Sequence, residues 1–305
     1  MTAPKKTAGA MSSSAVRTLV LATVALGILI AACFATAACL LRFDLDRLLF
    51  ARTAPRVSFE ASPQAFRVSG HDGAAMIVRR FDRVVTTPRQ GCVVFFPGHQ
   101  GGADRYASDL YPDLEKAGLV VYAIAYPGQD GAPGPARMDD VQALAVAAVS
   151  TVVATCGRNH TVVAGRSLGA MVAAYAAGAV LPAGLVMESA SPSLSAGIRG
   201  ALRERWFLRP LAVLPIERIV EHDFSIAEAI PAQLHVAVFQ GSADTRTPLA
   251  DFQSEAGGPE RLPIMEVAGG THADTLQRAK PAMIATMLGM IRGSDEASAA
   301  ARMED

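Results

Sequence analysis

Apolar residues in this chain gather in short, mostly continuous runs rather than alternating with polar ones. The runs at 92–96, 119–125, 161–164, 185–188, 234–239 and 264–267 are rich in Val, Ile, Leu and Phe. Runs of that length predict strands buried on both faces, as in a parallel sheet covered by helices. Helical stretches separate them, such as 139–154, dominated by Ala and Val. Ahead of them, Phe66-Arg67-Val68 and Ala75-Met76-Ile77-Val78 flank His71-Asp72-Gly73, the pattern of an opening hairpin. The alternation predicts an α/β fold with a mostly parallel central sheet flanked by helices.

One run differs in kind. Residues 18–41 form an uncharged apolar stretch of about 24 residues, enough at about 1.5 Å per residue to cross a hydrocarbon core of about 30 Å. It predicts a transmembrane helix or signal anchor, preceded by a tail at 1–17 and followed by a linker at 42–56. Lys5, Lys6 and Arg17 precede it, while Arg42, Arg47, Arg52 and Arg56 follow with Asp44 and Asp46, so the charge bias is nearly balanced. The expectation is a single-pass protein of a bacterial inner membrane, with its N-terminus inside and the remainder outside the cytoplasm. Ile30-Ala31-Ala32-Cys33 looks like a bacterial lipobox, which makes lipidation of Cys33 an alternative. A cleaved signal ending near Ala38 is a third reading.

Candidate chemistry follows the predicted strands. The run 161–164 leads into Gly165-Arg166-Ser167-Leu168-Gly169, and a G-x-S-x-G leaving a strand marks a nucleophile elbow, where flanking glycines avoid clashes around a strained serine. The run 234–239 leads into a segment that places Asp244 just past a strand's C-terminal end, where open α/β sheets build their sites. The run 264–267 ends in a Gly-rich loop carrying His272. A serine hydroxyl is a weak nucleophile at neutral pH, so an imidazole must take its proton, and His272 is the candidate base. A buried carboxylate must orient that imidazole and stabilise its charged form, the role expected of Asp244. Asp274 is a rival acid, but it lies two residues from His272 and is expected to cap the following helix. His71, His160, His222 and His235 are expected at the surface or in packing. The oxyanion needs two N–H donors: the backbone N–H of Leu168, and that of His99 in Pro97-Gly98-His99-Gln100-Gly101-Gly102 after the first of the six runs.

With Ser, Asp and His in that order, the chain resembles the α/β-hydrolase superfamily, and within it the Bem46-like and ABHD13-like branch of serine hydrolases. The Gly-Arg-Ser-Leu-Gly elbow of that branch matches fully, and Gly241 to Pro248 matches its Gly-x-x-Asp-x-x-x-Pro; the branch also shows a Gly-x-x-His near its end. Tyr126-Pro127-Gly128-Gln129-Asp130-Gly131 is similar to the branch's Tyr-Arg-Gly-Tyr-Gly turn but departs from it. The oxyanion loop departs further, with Pro97 for the usual histidine and His99-Gln100 for Asn-Ala. Pro97 has no N–H to give, yet the donor position is His99, so the hole can still form. The resemblance covers 57–292 and implies an α/β-hydrolase fold with a small helical cap at 190–231. It also implies hydrolysis of a carboxylic ester or related acyl bond through an acyl-enzyme. The cap region carries Arg199, Arg203, Arg205, Trp206, Phe207, Arg209 and Leu211, a mixture suited to acyl chains or anionic headgroups; a plain pair of surface helices is the other reading.

The usual strand order of that fold makes the runs at 92 and 161 neighbours. Cys92 and Cys156 then form either a disulfide or two buried free thiols, while Cys33 and Cys39 lie in the apolar segment. A net charge of zero argues against a nucleic-acid partner. With no P-loop, dinucleotide fingerprint or metal-spaced Cys/His cluster, neither cofactor nor metal is expected. The expected partners are the membrane, through the N-terminal helix, and an ester substrate: lipid or lysolipid esters first, small acyl esters next. A peptidase or amidase using Glu204, Glu217, Glu221 and Asp223 to hold a free amino terminus is a second reading, and a non-catalytic binding protein a third. Residues 293–305, small and charged, are expected to be disordered.

Overall fold

The structure, a computed structural model, describes residues 13–50, 64–82, 88–99, 102–255 and 262–304. The tail at 1–12, the second half of the expected linker with the start of the expected hydrolase domain at 51–63, Gln100 and Gly101 of the expected oxyanion loop, and Asp305 lie outside the described residues. Strands β1 (Ala65–Ser69), β2 (Ala75–Phe81), β3 (Gly91–Phe96), β4 (Leu119–Ala125), β5 (Thr161–Arg166), β6 (Gly184–Glu188), β7 (Val236–Gly241) and β8 (Ile264–Val267) form one sheet in the order β1-β2-β4-β3-β5-β6-β7-β8. β2 runs antiparallel to β1 and β4, and every other pairing is parallel. The β1–β2 turn has Asp72 at φ 52° and Gly73 at φ 73°, the two positive values of a tight hairpin.

Burial on both faces explains the mostly continuous apolar runs. In β3, Cys92, Val94 and Phe96 enter one core, while Val93 and Phe95 enter the other. α4 (Met138–Cys156) and α5 (Leu168–Val180) cover the first face. α3 (Tyr111–Lys116) and α10 (Thr275–Glu304) cover the second. The alanines of α5 at 170, 173, 174, 176 and 177 are buried, which lets this helix sit close to the sheet. β7 departs from expectation: it starts at Val236 rather than at 234 and runs on through Gln240 and Gly241. Gln240 is fully buried with its side-chain amide bonded to Thr247, a polar solution that hydropathy does not register. Cys92 and Cys156 are joined in a disulfide, so of the two readings of these cysteines the pairing is the one found.

After β6 come α6 (Leu194–Glu204), a short 3-10 turn at Arg209–Val213, α7 (Ile216–Ile219) and α8 (Ile226–Ala229). Ser193 caps α6 by accepting from the Ala196 N–H at 3.2 Å, and Asp223 accepts from both the N–H and the hydroxyl of Ser195. α9 (Leu249–Glu255) follows β7.

Among the described residues, two helices are long and apolar enough to cross a membrane. α4 is one, but its apolar stripe is buried against the sheet, which makes it a core helix. The other, α1 (Ser13–Phe43), has a mean hydropathy of 2.5 over its most apolar window and leaves Leu19, Leu21 and Ile28 exposed; it is a candidate membrane span. Its end is not free. α2 (Leu45–Leu49) follows at once, Leu41 and Phe50 are buried, and Arg42 pairs with Glu221 at 2.6 Å. The Met138 N–H donates to the Asp46 carboxylate at 3.0 Å, and the Phe50 ring meets the Tyr126 ring edge-on with centroids 5.4 Å apart. The first half of the expected linker is therefore helical and packed. At the other terminus, α10 continues to Glu304 where a disordered tail is expected. The Ala, Ser and Glu of 294–304 contain neither Gly nor Pro, so nothing in their backbone stops the helix.

Candidate active site

Ser167 sits at the C-terminal end of β5 with φ 53° and ψ −122°, a backbone conformation that a non-glycine residue holds only under constraint. Its N–H donates to the Glu188 carbonyl at 2.9 Å on the neighbouring strand. The flanking glycines answer to close approaches. A Cβ on Gly165 would lie 2.3 Å from the Gly169 carbonyl oxygen, and one on Gly169 would lie 2.2 Å from that of Phe96. Any side chain at either position would push three backbone segments apart.

Asp244, 4% exposed, lies in the turn after β7 and is saturated with donors. Oδ1 accepts from the N–H groups of Arg246 and Thr247 at 2.9 Å each, and Oδ2 accepts from the Thr247 hydroxyl at 2.7 Å. His272 Nδ1 stands 2.9 Å from the same Oδ2. Burial works to raise the carboxyl's pKa, but the bonds and charge of His272, with those of Thr247, outweigh it and hold the group below its ordinary value. Asp274 makes no bond to His272 and does not cap α10 in the forward sense. It accepts from the Thr271 N–H and hydroxyl at 2.7 and 2.6 Å and from Arg278 at 2.6 Å, fixing the loop that carries His272.

Two residues that sequence reasoning passed over complete this edge. Arg166, inside the elbow, donates through one terminal nitrogen to the His272 carbonyl and pairs through Nε with Glu188 Oε2 at 3.1 Å. Glu188 is wholly buried at the end of β6, where burial pushes its carboxyl up against the opposing pull of Arg166. The available signal in the sequence is a charged residue closing an apolar run; beside it the structure holds Ser189 at φ 48°.

The Pro97-Gly98-His99 loop passes over the serine, and a Cβ on Gly98 would lie 3.5 Å from that of Ser167. The Tyr126 hydroxyl donates to the Pro97 carbonyl at 2.9 Å, and the Gln129 side chain donates to the His99 carbonyl at 3.2 Å. The turn from Tyr126 to Gly131 therefore braces the Pro97-Gly98-His99 loop. Leu168 opens α5, so its N–H belongs to the first turn of a helix, whose donors have no intrahelical acceptor. Burial, reinforced by the positive charges of Arg246 and His272, lowers the His99 imidazole pKa to about 4, leaving that ring neutral near pH 7.

Ser167, His99 and His272 line one polar cavity of about 260 Å³ with Arg105, Arg166 and Arg246. Ser167, His99 and Leu168 also line a second, apolar cavity of about 350 Å³. The structure thus brings Ser167, Leu168, His99, Asp244 and His272 to one edge of the sheet. His71, His160, His222 and His235 all lie exposed, away from it. The cap acids are committed elsewhere: Glu204 to Arg246, Glu217 to Arg199, Glu221 to Arg42 and Asp223 to Ser195. Among the described residues, no group of His, Cys, Asp and Glu could hold a metal ion.

A mostly parallel sheet with a strained serine at the turn from β5 into α5 defines an α/β-hydrolase fold. The chain belongs to the alpha/beta hydrolase family, whose family model matches residues 93–302. No curated protein matches it closely enough to count as a relative. Solved structures of similar fold include a monoacylglycerol lipase of Paleococcus ferrophilus, 19% identical over 70% of this chain and 99% of that one, with a TM-score of 0.50. An alpha-beta hydrolase of Vibrio vulnificus is 14% identical over 81% of this chain and 93% of that one, with a TM-score of 0.60. A hyperthermophilic esterase of Pyrobaculum calidifontis is 15% identical over 84% and 89%, with a TM-score of 0.56.

Proposed function

We propose that this protein is a membrane-tethered serine hydrolase of carboxylic esters, of the Bem46-like and ABHD13-like type. The observation that carries the reading is the relay at the sheet edge: a strained Ser167 sharing a cavity with His272, whose Nδ1 is held 2.9 Å from the buried Asp244. In this reading Ser167 Oγ attacks the ester carbonyl while His272 Nε2 takes its proton, and Asp244 fixes the tautomer and stabilises the imidazolium. The N–H groups of Leu168 and His99 receive the oxyanion. His272 returns the proton to the departing alcohol, and water then releases the acyl group from Ser167 by the same route reversed. The apolar cavity suits the acyl half, and the polar cavity with its arginines suits the alcohol half. Lipases and esterases among the solved structures of this fold agree with ester chemistry.

The exposed apolar surface of α1 supports tethering, and the Cys92–Cys156 disulfide supports an oxidising compartment, which favours an extracytoplasmic hydrolase region. Labelling of the detergent-solubilised protein with a fluorophosphonate probe tests the reading. Labelling abolished by Ser167→Ala, together with turnover of p-nitrophenyl esters, is the expected result. A folded protein that neither labels nor hydrolyses any ester of the series would overturn it.

A further inference from the structure

The apolar cavity at Ser167 is not built from the hydrolase core alone. Part of its wall is α6, through Ile198 and Leu202; another part is Leu41 from the last turn of α1 with Leu45, Leu48 and Leu49 from α2. Leu41 closes the apolar run of the candidate membrane span, so the cavity begins where that span ends. The placement is fixed, because the Arg42–Glu221 pair, the Met138–Asp46 bond and the Phe50–Tyr126 contact hold this end of α1 against the domain.

A second observation points to the same rim. Trp206 is 79% exposed and Phe207 55% exposed, between Arg203, Arg205 and Arg209, and Leu208 of the same stretch lines the cavity. Large exposed apolar side chains beside arginines suit the boundary of a bilayer, where indole rings settle among headgroups and cations meet anionic lipid. Leu48, across the same cavity lining, is also exposed. Drawing an acyl chain through water becomes harder with every methylene, whereas a mouth at the membrane boundary spares it that exposure.

We infer, building on the ester-hydrolase reading above, that the membrane anchor itself completes the acyl pocket. The substrate is then a long-chain acyl ester of a bilayer lipid, whose tail enters sideways between α2 and the stretch around Trp206.

The test uses the whole chain in vesicles of phosphatidylethanolamine and phosphatidylglycerol. The probe is a long-chain fluorophosphonate carrying a photoreactive group at the tail end. With Ser167 labelled, irradiation is expected to cross-link the tail to residues within 41–49 or 198–208. Cross-links confined to other parts of the chain, with Ser167 labelled, overturn the inference while leaving the ester-hydrolase reading intact. Absence of labelling at Ser167 overturns both. In parallel, Leu45→Trp and Leu48→Trp are expected to lower the ratio of dodecanoyl to butanoyl ester turnover by roughly tenfold. An unchanged ratio in both variants, with unchanged melting temperature, counts against the anchor as a pocket wall.

Discussion

Arg166 and Glu188 form a 3.1 Å ion pair beneath the elbow, and the same guanidinium holds the carbonyl of His272. Arg166→Ala is expected to leave Glu188 buried and unpaired, at a cost of about 3–5 kcal/mol near neutral pH. The sign with pH follows from burial. A carboxyl whose folded pKa is raised favours the protonated folded form, so its contribution is fullest below its ordinary 4.5 and is lost as pH rises through the raised value. Urea unfolding at about pH 5 and about pH 8 should therefore show the larger deficit of the variant at the higher pH. Adding Glu188→Gln should recover part of it.

Asp244→Asn removes the acceptor that fixes the His272 tautomer while keeping the shape of the turn. Turnover should fall by about ten-thousandfold with the fold preserved. The Asp244 carboxyl is held below its ordinary 3.8, so it stabilises the fold above that value and the contribution disappears as pH falls through its lowered pKa. Acid titration followed by circular dichroism should show a shallower loss of stability below about pH 4 in the variant.

In the proposed mechanism His99 and Tyr126 bear on the oxyanion through different atoms. His99→Gln keeps the backbone N–H, so kcat/KM should stay within about tenfold, and the limbs of the pH–rate profile near neutrality should not move. Because folding lowers the His99 pKa from 6.5 to about 4, its contribution is full above 6.5 and is lost as pH falls towards 4; the variant should lack that loss. Tyr126→Phe takes the hydroxyl from the Pro97 carbonyl and loosens the loop itself. Its effect on kcat should be the larger, approaching the roughly 10²–10³ that follows loss of one oxyanion donor.

The Cys92–Cys156 bridge closes a loop across 64 positions of sequence, tying the end of α4 to the start of β3. Reduction, or Cys92→Ser with Cys156→Ser, should cost about 2–5 kcal/mol. Thermal melts with and without reductant should separate for the natural protein and coincide for the double variant.

The core strands were legible in the sequence because both faces of the sheet are covered, and β4 shows it most plainly: all seven of its residues are apolar and buried. The residues at the candidate site were legible because their order and their places after strands carry the pattern. Glu188, Arg166 and Gln240 were not. Each is a polar group held by partners that hydropathy does not register: Arg166 and the Ser189 hydroxyl for Glu188, the His272 carbonyl as well as Glu188 for Arg166, and Thr247 for Gln240. Hydropathy assigns such residues to the surface. The leucines of α2 were misplaced for the opposite reason: a few apolar residues between charges read as a linker, and only the docking of Asp46 and Phe50 makes them part of a wall.

Phe50 rests on Tyr126, and Tyr126 holds Pro97, so two contacts separate the end of α2, which follows the candidate membrane span, from the loop over Ser167. Cutting the chain ahead of the hydrolase region would uncover that tyrosine as well as open the cavity. In the proposed reading, a copy shed by proteolysis would be a damaged enzyme rather than a liberated one. Under the proposed function, packing would then confine hydrolysis to the neighbourhood of the membrane, without need of a separate inhibitor.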